Sequence, residues 1–329
     1  MITALALGGY AVLVAFGAPR LLPRLWHGCR APRRTVALLL ILAYSLPLSA
    51  ITGGIVLGVT LLDALARIDP AVDACADQLP INDETSVAPL LGTIGLGVAG
   101  LLGARIFFCL LTAMVAARVR RRAHTDVLRL AGRDDRTLNA TVLDHAQAAS
   151  YCLPGRRGRI VVTTKAIQLL TADQLGAVLA HERAHLRGHH HLLLTLAAAL
   201  RRAVPGVRLV AYCDREVRRL VELIADDAAA RDHGRLTVAT ALAVLGSGHV
   251  PGGALGAADE GPEALARISR LSGPAVGMSR RGTVLSLAVV AASIAVPLAL
   301  ALGSIAVLMR HCPPSTDDES PGSAIISVR

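Results

Sequence analysis

At 329 residues the chain has room for one soluble domain of ordinary size together with membrane segments. Apolar residues make up 53% of it and its mean hydropathy is +0.53, which excludes an ordinary soluble protein and calls for membrane spans. The net charge of +10 would suit nucleic acid or acidic lipid, but no helix-turn-helix or other DNA-reading signature accompanies it, so direct nucleic-acid binding is not expected.

Four apolar stretches are candidate spans, at 2–17, 35–62, 87–116 and 284–309. The first is near the short end for a span. It is not read as a cleaved signal peptide, because its positive charge follows the apolar run instead of preceding it. An uncleaved anchor with its amino terminus outside is expected. Arg20, Arg24, Arg30, Arg33 and Arg34 lie between the first two spans, with no acid among them. The positive-inside rule makes that loop cytoplasmic. The next loop, with Asp63, Asp69, Asp73, Asp77, Asp83 and Glu84 against Arg67, then falls outside. Arg118, Arg120, Arg121 and Arg122 bring the chain back to the cytoplasm after the third span.

The expected layout is a multi-pass protein of the plasma membrane, mainly α, with four transmembrane helices arranged three plus one. Residues 1–117 form the membrane region, 118–282 a cytoplasmic domain, 283–310 the fourth span and 311–329 an extracytoplasmic tail. The six cysteines make no metal pattern. Cys152 and Cys213 are expected as reduced cytoplasmic thiols. Cys75 and Cys312 both fall outside, where a disulfide and two unpaired thiols are equally open readings.

Within the cytoplasmic segment a basic helix is expected over 118–131 and a strand over 140–143. Pro154 and Gly155 make a turn, and 159–164 reads as a β-branched strand. Thr171 is a natural N-cap, with Gln174 completing a capping box. The helix that follows is expected to run through His185 and past His191 to about Arg202, before Pro205 and Gly206. His181, Glu182 and His185 form an H-E-x-x-H pattern on it. Two histidines four apart share one helical face and can share one metal ion. Glu182 can then take a proton from metal-bound water. His189, His190 and His191 are read as solvated or membrane-surface residues.

A second helix is expected from Asp214 to Gly234. Its Glu222 can supply the third ligand, and Asp226, one turn on, can hydrogen-bond a ligating histidine. The alternative is a solvated acidic face pairing with Arg218 and Arg219. Tyr212 and Arg215 are weak candidates for stabilising an oxyanion. Residues 247–262 read as a Gly-rich loop, followed by a short helix carrying Leu265, Ile268 and Leu271.

His181, Glu182 and His185, followed by Arg219, Glu222 and Asp226, resemble the gluzincin pattern shared by two kinds of membrane zinc peptidase. One kind is the BlaR/MecR-type antibiotic sensors; the other is the HtpX-type quality-control proteases and their CAAX-processing relatives. The resemblance covers roughly residues 120 to 275. It implies an α+β zinc peptidase domain inserted between the third and fourth spans, with one Zn2+ per chain held by His181, His185 and Glu222. It also implies Glu182 as general base, and a strand at Ile160, Val161, Val162 and Thr163 to which a peptide substrate adds.

The three-plus-one arrangement is similar to the BlaR/MecR type, which implies cleavage of a cytoplasmic BlaI-type repressor, of the chain itself, or of both, in signal transduction. The sensors' penicillin-binding domain is expected to be lacking, since about 20 residues follow the last span and no Ser-x-x-Lys occurs there. An HtpX-like quality-control protease and a non-catalytic transducer are the alternatives, and a homodimer is left open.

Overall fold

The computed structural model describes residues 2–25, 32–72, 87–155, 158–246 and 260–273, with short helical stretches between 284 and 303. Three long helices come first: α1 (Ile2–Leu25), α2 (Pro32–Val72) and α3 (Val87–Ala131). Two segments are long and apolar enough to cross a membrane, Pro32–Val59 in α2 and Leu90–Asp126 in α3. The apolar stretch of α1, Leu5–Arg20, is shorter. Most of the expected fourth span, all of the tail, and both Cys75 and Cys312 lie outside the described residues.

At a rise of 1.5 Å per residue, α2 is about 62 Å long and α3 about 68 Å, roughly twice a hydrocarbon core. Each therefore has turns to spare beyond a bilayer. They approach closely at glycine: a Cβ on Gly54 would lie 2.4 Å from the Gly95 carbonyl oxygen and 2.9 Å from the Ala99 methyl. Small residues at such a crossing let two backbones meet.

α3 continues without a break from its apolar half through Arg118, Arg120, Arg121 and Arg122 into a small sheet. The strands are β1 (Gly132–Asp135), β2 (Ala140–Leu143), β3 (Ser150–Leu153) and β4 (Arg159–Thr163), in the order β1-β2-β4-β3. Asn139, with φ of 50°, turns β1 into β2. β4 runs parallel to β2 and antiparallel to β3. Thr163 ends it by capping α4 (Thr164–Leu169), so Thr164 is helical instead of extending the strand.

α5 (Ala172–Arg187) starts with the capping box of Thr171 and Gln174. Its Leu175, Val178 and Leu179 pack with Val142, Ile160 and Val162 to form the core beneath the sheet. The continuous helix expected to reach Arg202 is broken. Gly188 caps α5, His189 takes the left-handed conformation at φ 48°, and a new helix, α6 (His190–Ala203), sets off from there. α7 (Arg208–His233) begins earlier than Asp214 and ends where Gly234, with φ of 84°, leaves the helical region. α8 (Arg235–Gly246) and α9 (Glu260–Ser272) pack on α5 and α7 through Ala177, Ala229, Val238, Ala239 and Leu271.

The largest core joins α1 and α2 to this domain. Leu22 of α1 and Val36, Leu39, Leu42, Ala43 and Leu46 of α2 share it with Leu200, Leu209, Val217, Leu220 and Ile224 of α6 and α7. Tyr44 donates a hydrogen bond to the Leu196 carbonyl at 3.1 Å. Arg105, inside the apolar part of α3, donates to the last carbonyls of α6, with Nε 2.7 Å from Ala203 O. That pairing places a guanidinium against the negative end of a helix dipole. A division of the chain at 117/118 thus cuts through one helix and one core.

Gly54→Leu is expected to force α2 and α3 apart and cost about 1–3 kcal/mol, the usual range for overpacking. Gly97→Ala, which meets nothing within 4 Å, should leave stability unchanged or slightly higher. Thermal unfolding of the two variants in one detergent checks the contrast.

Candidate metal centre

α5 and α7 lie side by side, and their facing turns carry the polar groups. His181, Glu182 and His185 project from α5, and Glu222 and Asp226 from α7. One nitrogen from each of His181 and His185 and one oxygen of Glu222 come within 4.8 Å of one another, a group able to hold a metal ion. The two Nε2 atoms are 3.0 Å apart. The Glu222 carboxylate straddles them, with Oε2 3.5 Å from His181 Nε2 and Oε1 3.5 Å from His185 Nε2. Four-coordinate zinc at 2.0–2.2 Å would need ligand atoms about 3.3 Å apart, so the three donors fit its tetrahedral edges.

The surroundings fix which atoms carry lone pairs. Asp226 is fully buried, and its Oδ1 lies 3.0 Å from His181 Nδ1. With its one proton there, a neutral His181 would turn its Nε2 lone pair toward Nε2 of His185. An ion bound between them would take the place of the proton that His181 otherwise holds on Nε2.

Arg267 of α9 was not foreseen from the sequence. Its guanidinium grips Asp226 with two bonds, Nε to Oδ2 at 2.8 Å and Nη2 to Oδ1 at 2.7 Å. Its Nη1 reaches Glu222 Oε2 at 3.2 Å. Arg270 makes a second forked pair with Asp227, at 2.8 and 3.0 Å. Two bidentate clamps thus fasten α9 across α7. The acidic face of α7 is therefore not a solvated one paired with Arg218 and Arg219; those residues pair with Asp214 and Glu216.

Titration follows from the same contacts. Burial pushes the Glu222 carboxyl up, but hydrogen bonding to His181 and the charges of His181, Arg267 and His185 outweigh it and hold it at about 2. Asp226 behaves alike: burial raises it, and Arg267 and His181 bring it to about 2. Burial would lower His181, yet its bonds to Asp226 and Glu222 lift it to about 9. His185, with no carboxylate on its Nδ1, is lowered by burial to about 4. The Glu182 carboxyl is raised, first by burial and then by the Glu222 charge. Such a shift suits a carboxylate that must accept a proton near neutral pH.

Three expectations need correction. β4, with Ile160, Val161, Val162 and Thr163, is an interior strand bonded on both edges and cannot receive a substrate strand. The strand beside Glu182 is β3, whose outer edge pairs with no strand among the described residues; Ser150 and Cys152 are its residues nearest that carboxylate. His190 is neither solvated nor at a membrane surface: it is 3% exposed and bonded to His185 at 2.9 Å between the two Nδ1 atoms. Tyr212 packs in the core shared with α1 and α2, and Arg215 is exposed, both at least about 10 Å along α7 from Glu222.

Removing the guanidinium should leave the fully buried Asp226 and the half-buried Glu222 without their shared cation. Arg267→Met is expected to cost about 3–5 kcal/mol in chemical denaturation. Arg219→Met, which breaks the partly exposed pair with Glu216, should cost less than about 1 kcal/mol.

Residues 113–204 match the model of Peptidase family M48. That stretch runs from the second half of α3 to the start of the α6–α7 turn. It contains His181, Glu182, His185 and His190 and stops short of Glu222, Asp226 and Arg267. No curated protein and no solved structure matches the chain. The chain is thus similar to Peptidase family M48 over 113–204, under a third of its length.

Proposed function

We propose that this chain is a membrane-embedded zinc endopeptidase that cuts protein segments at the cytoplasmic face of the plasma membrane. The observation that carries the reading is the convergence of His181, His185 and Glu222 at 3.0–3.5 Å beside the buried Glu182. His181, His185 and Glu222 would hold one zinc ion, which when bound polarises the scissile carbonyl and acidifies water. Glu182 accepts a proton at its carboxylate and returns it to the leaving amine. Its raised pKa, set mainly by burial, suits both steps.

The substrate adds as a strand to the outer edge of β3, which is unpaired among the described residues. Thr163 donates to Ala149 O, so alternation along the antiparallel pair turns the peptide groups of Ser150 and Cys152 outward. An extended peptide bonded there runs past Glu182. Glu222 is the most open of the three donors, at 35% side-chain exposure, and marks the side from which a peptide enters.

Topology supports the cytoplasmic placement. α7 is bedded on the ends of α1 and α2 that carry Arg20, Arg33 and Arg34, the side held inside by positive charge. The substrate we favour is a BlaI-type repressor or a segment of this chain itself, on the resemblance of the span arrangement to the BlaR/MecR sensors. The shared core of α2 and α7 suits such a role, because movement of a membrane helix reaches the metal helix directly. The same core also favours a second reading, HtpX-like removal of damaged membrane proteins, since it holds the site against the bilayer.

Glu182→Gln should retain zinc at wild-type stoichiometry and lose hydrolysis by at least about 100-fold. The assay sets purified full-length protein in detergent against a winged-helix repressor, against itself and against an unfolded membrane protein. Cutting confined to the repressor or to the chain itself supports signalling, and broad cutting of the unfolded protein supports quality control. Equal cutting by Glu182→Gln overturns the assignment, and zinc without hydrolysis of anything favours a transducer.

A further inference from the structure

On a straight helix His190, five residues beyond His185, would point about 140° away from it. The chain avoids this by breaking. Gly188 closes α5, His189 turns with φ of 48°, and His190 becomes the first residue of α6. Its ring is thereby folded back on His185, with centroids 4.8 Å apart and planes at 86°. His190 is buried while His189 beside it is exposed. The space is made by glycine: a Cβ on Gly188 would lie 2.4 Å from His190 Nε2 and 3.0 Å from Ala184 O.

A neutral imidazole has one N–H and one lone pair. The Nε2 of His185 faces His181 and Glu222, so for metal binding its proton must sit on Nδ1 and find an acceptor there. Among the described residues the hydrogen-bond partner of that atom is His190 Nδ1, at 2.9 Å. The same atom of His181 lies 3.0 Å from Asp226 Oδ1, close but without an aligned hydrogen bond.

We propose that His190 is a positioning residue of the metal centre: its Nδ1 accepts the Nδ1–H of His185, fixing the ring and the tautomer that offers Nε2 to the ion. The inference rests on reading His181, His185 and Glu222 as ligands. The two histidines then differ in support. His181 is backed by an anion and His185 by a neutral ring, so the His185 arm depends on geometry more than on charge. The left-handed turn at His189 and the bare Cα of Gly188 exist, on this account, to deliver that ring.

Cobalt(II) titration of the metal-free full-length protein in detergent tests it, with visible absorption for coordination and a competing chelator for affinity. His190→Ala should weaken cobalt binding about 10–100-fold and change the visible bands. Gly188→Ala keeps the imidazole but displaces it, and should behave like His190→Ala. His190→Asn puts an amide oxygen where Nδ1 was and should recover part of the affinity. Melting of the metal-free variants separates packing from positioning. Unchanged cobalt affinity and bands in His190→Ala would overturn the proposal. So would a lowered metal-free melt with no recovery in His190→Asn, which is the signature of a packing role. If the wild type itself takes up no cobalt, the ligand assignment fails instead.

Discussion

Two imidazole nitrogens and a carboxylate are held within 3.0–3.5 Å of one another on facing helices, and the rest of the domain is arranged around that constraint. Such a cluster is costly unless each atom's proton and charge are accounted for. Asp226 takes the Nδ1 side of His181, Arg267 neutralises Asp226 and steadies Glu222, and His190 meets Nδ1 of His185. The helices cannot separate without exposing the core of Ala177, Ala229 and Leu271 that locks α5, α7 and α9 together. At the centre itself two imidazole nitrogens and the Glu222 carboxylate converge on a point able to hold a metal ion.

The second organising feature is the bedding of α7 on α1 and α2. Here Leu39, Leu42 and Leu46 of α2 and Leu209, Val217 and Leu220 of α7 share one interior. The α7 helix therefore has two faces with two duties: one buries leucine and valine against α2, and the other presents Glu222 and Asp226 to α5. Arg105 extends the continuity to α3 by holding the carbonyl end of α6. Packed side chains thus connect α2 to the helix that carries Glu222.

Much of the site was legible because its elements are local. The H-E-x-x-H spacing, the Glu222–Asp226 spacing and the Thr171–Gln174 box each need only the periodicity of one helix. What escaped depends on tertiary pairing. Arg267 lies 41 residues from Asp226, and nothing near it in the chain marks it as a partner. His190 was visible in the run of three histidines, but its place beside His185 depends on a helix break where the sequence reads as one continuous helix. Gly188 was the signal for the break, and its weight lies in a contact with His190 that spacing does not reveal. Strand order was equally hidden: the apolar run at Ile160 to Val162 reads as a strand whether it lies at an edge or in the middle. Its unbroken hydrophobicity is what a strand buried within a sheet requires. The less apolar β3 took the edge.

The account stands on the identity of the atoms around the ion. X-ray absorption at the zinc edge, on full-length wild type and Glu222→Gln in detergent, reads them directly. The account predicts nitrogen and oxygen neighbours at about 2.0–2.2 Å, two of them imidazoles, with the carboxylate contribution lost or altered in Glu222→Gln. Sulfur at about 2.3 Å, or a wild-type spectrum unchanged by Glu222→Gln, would contradict it.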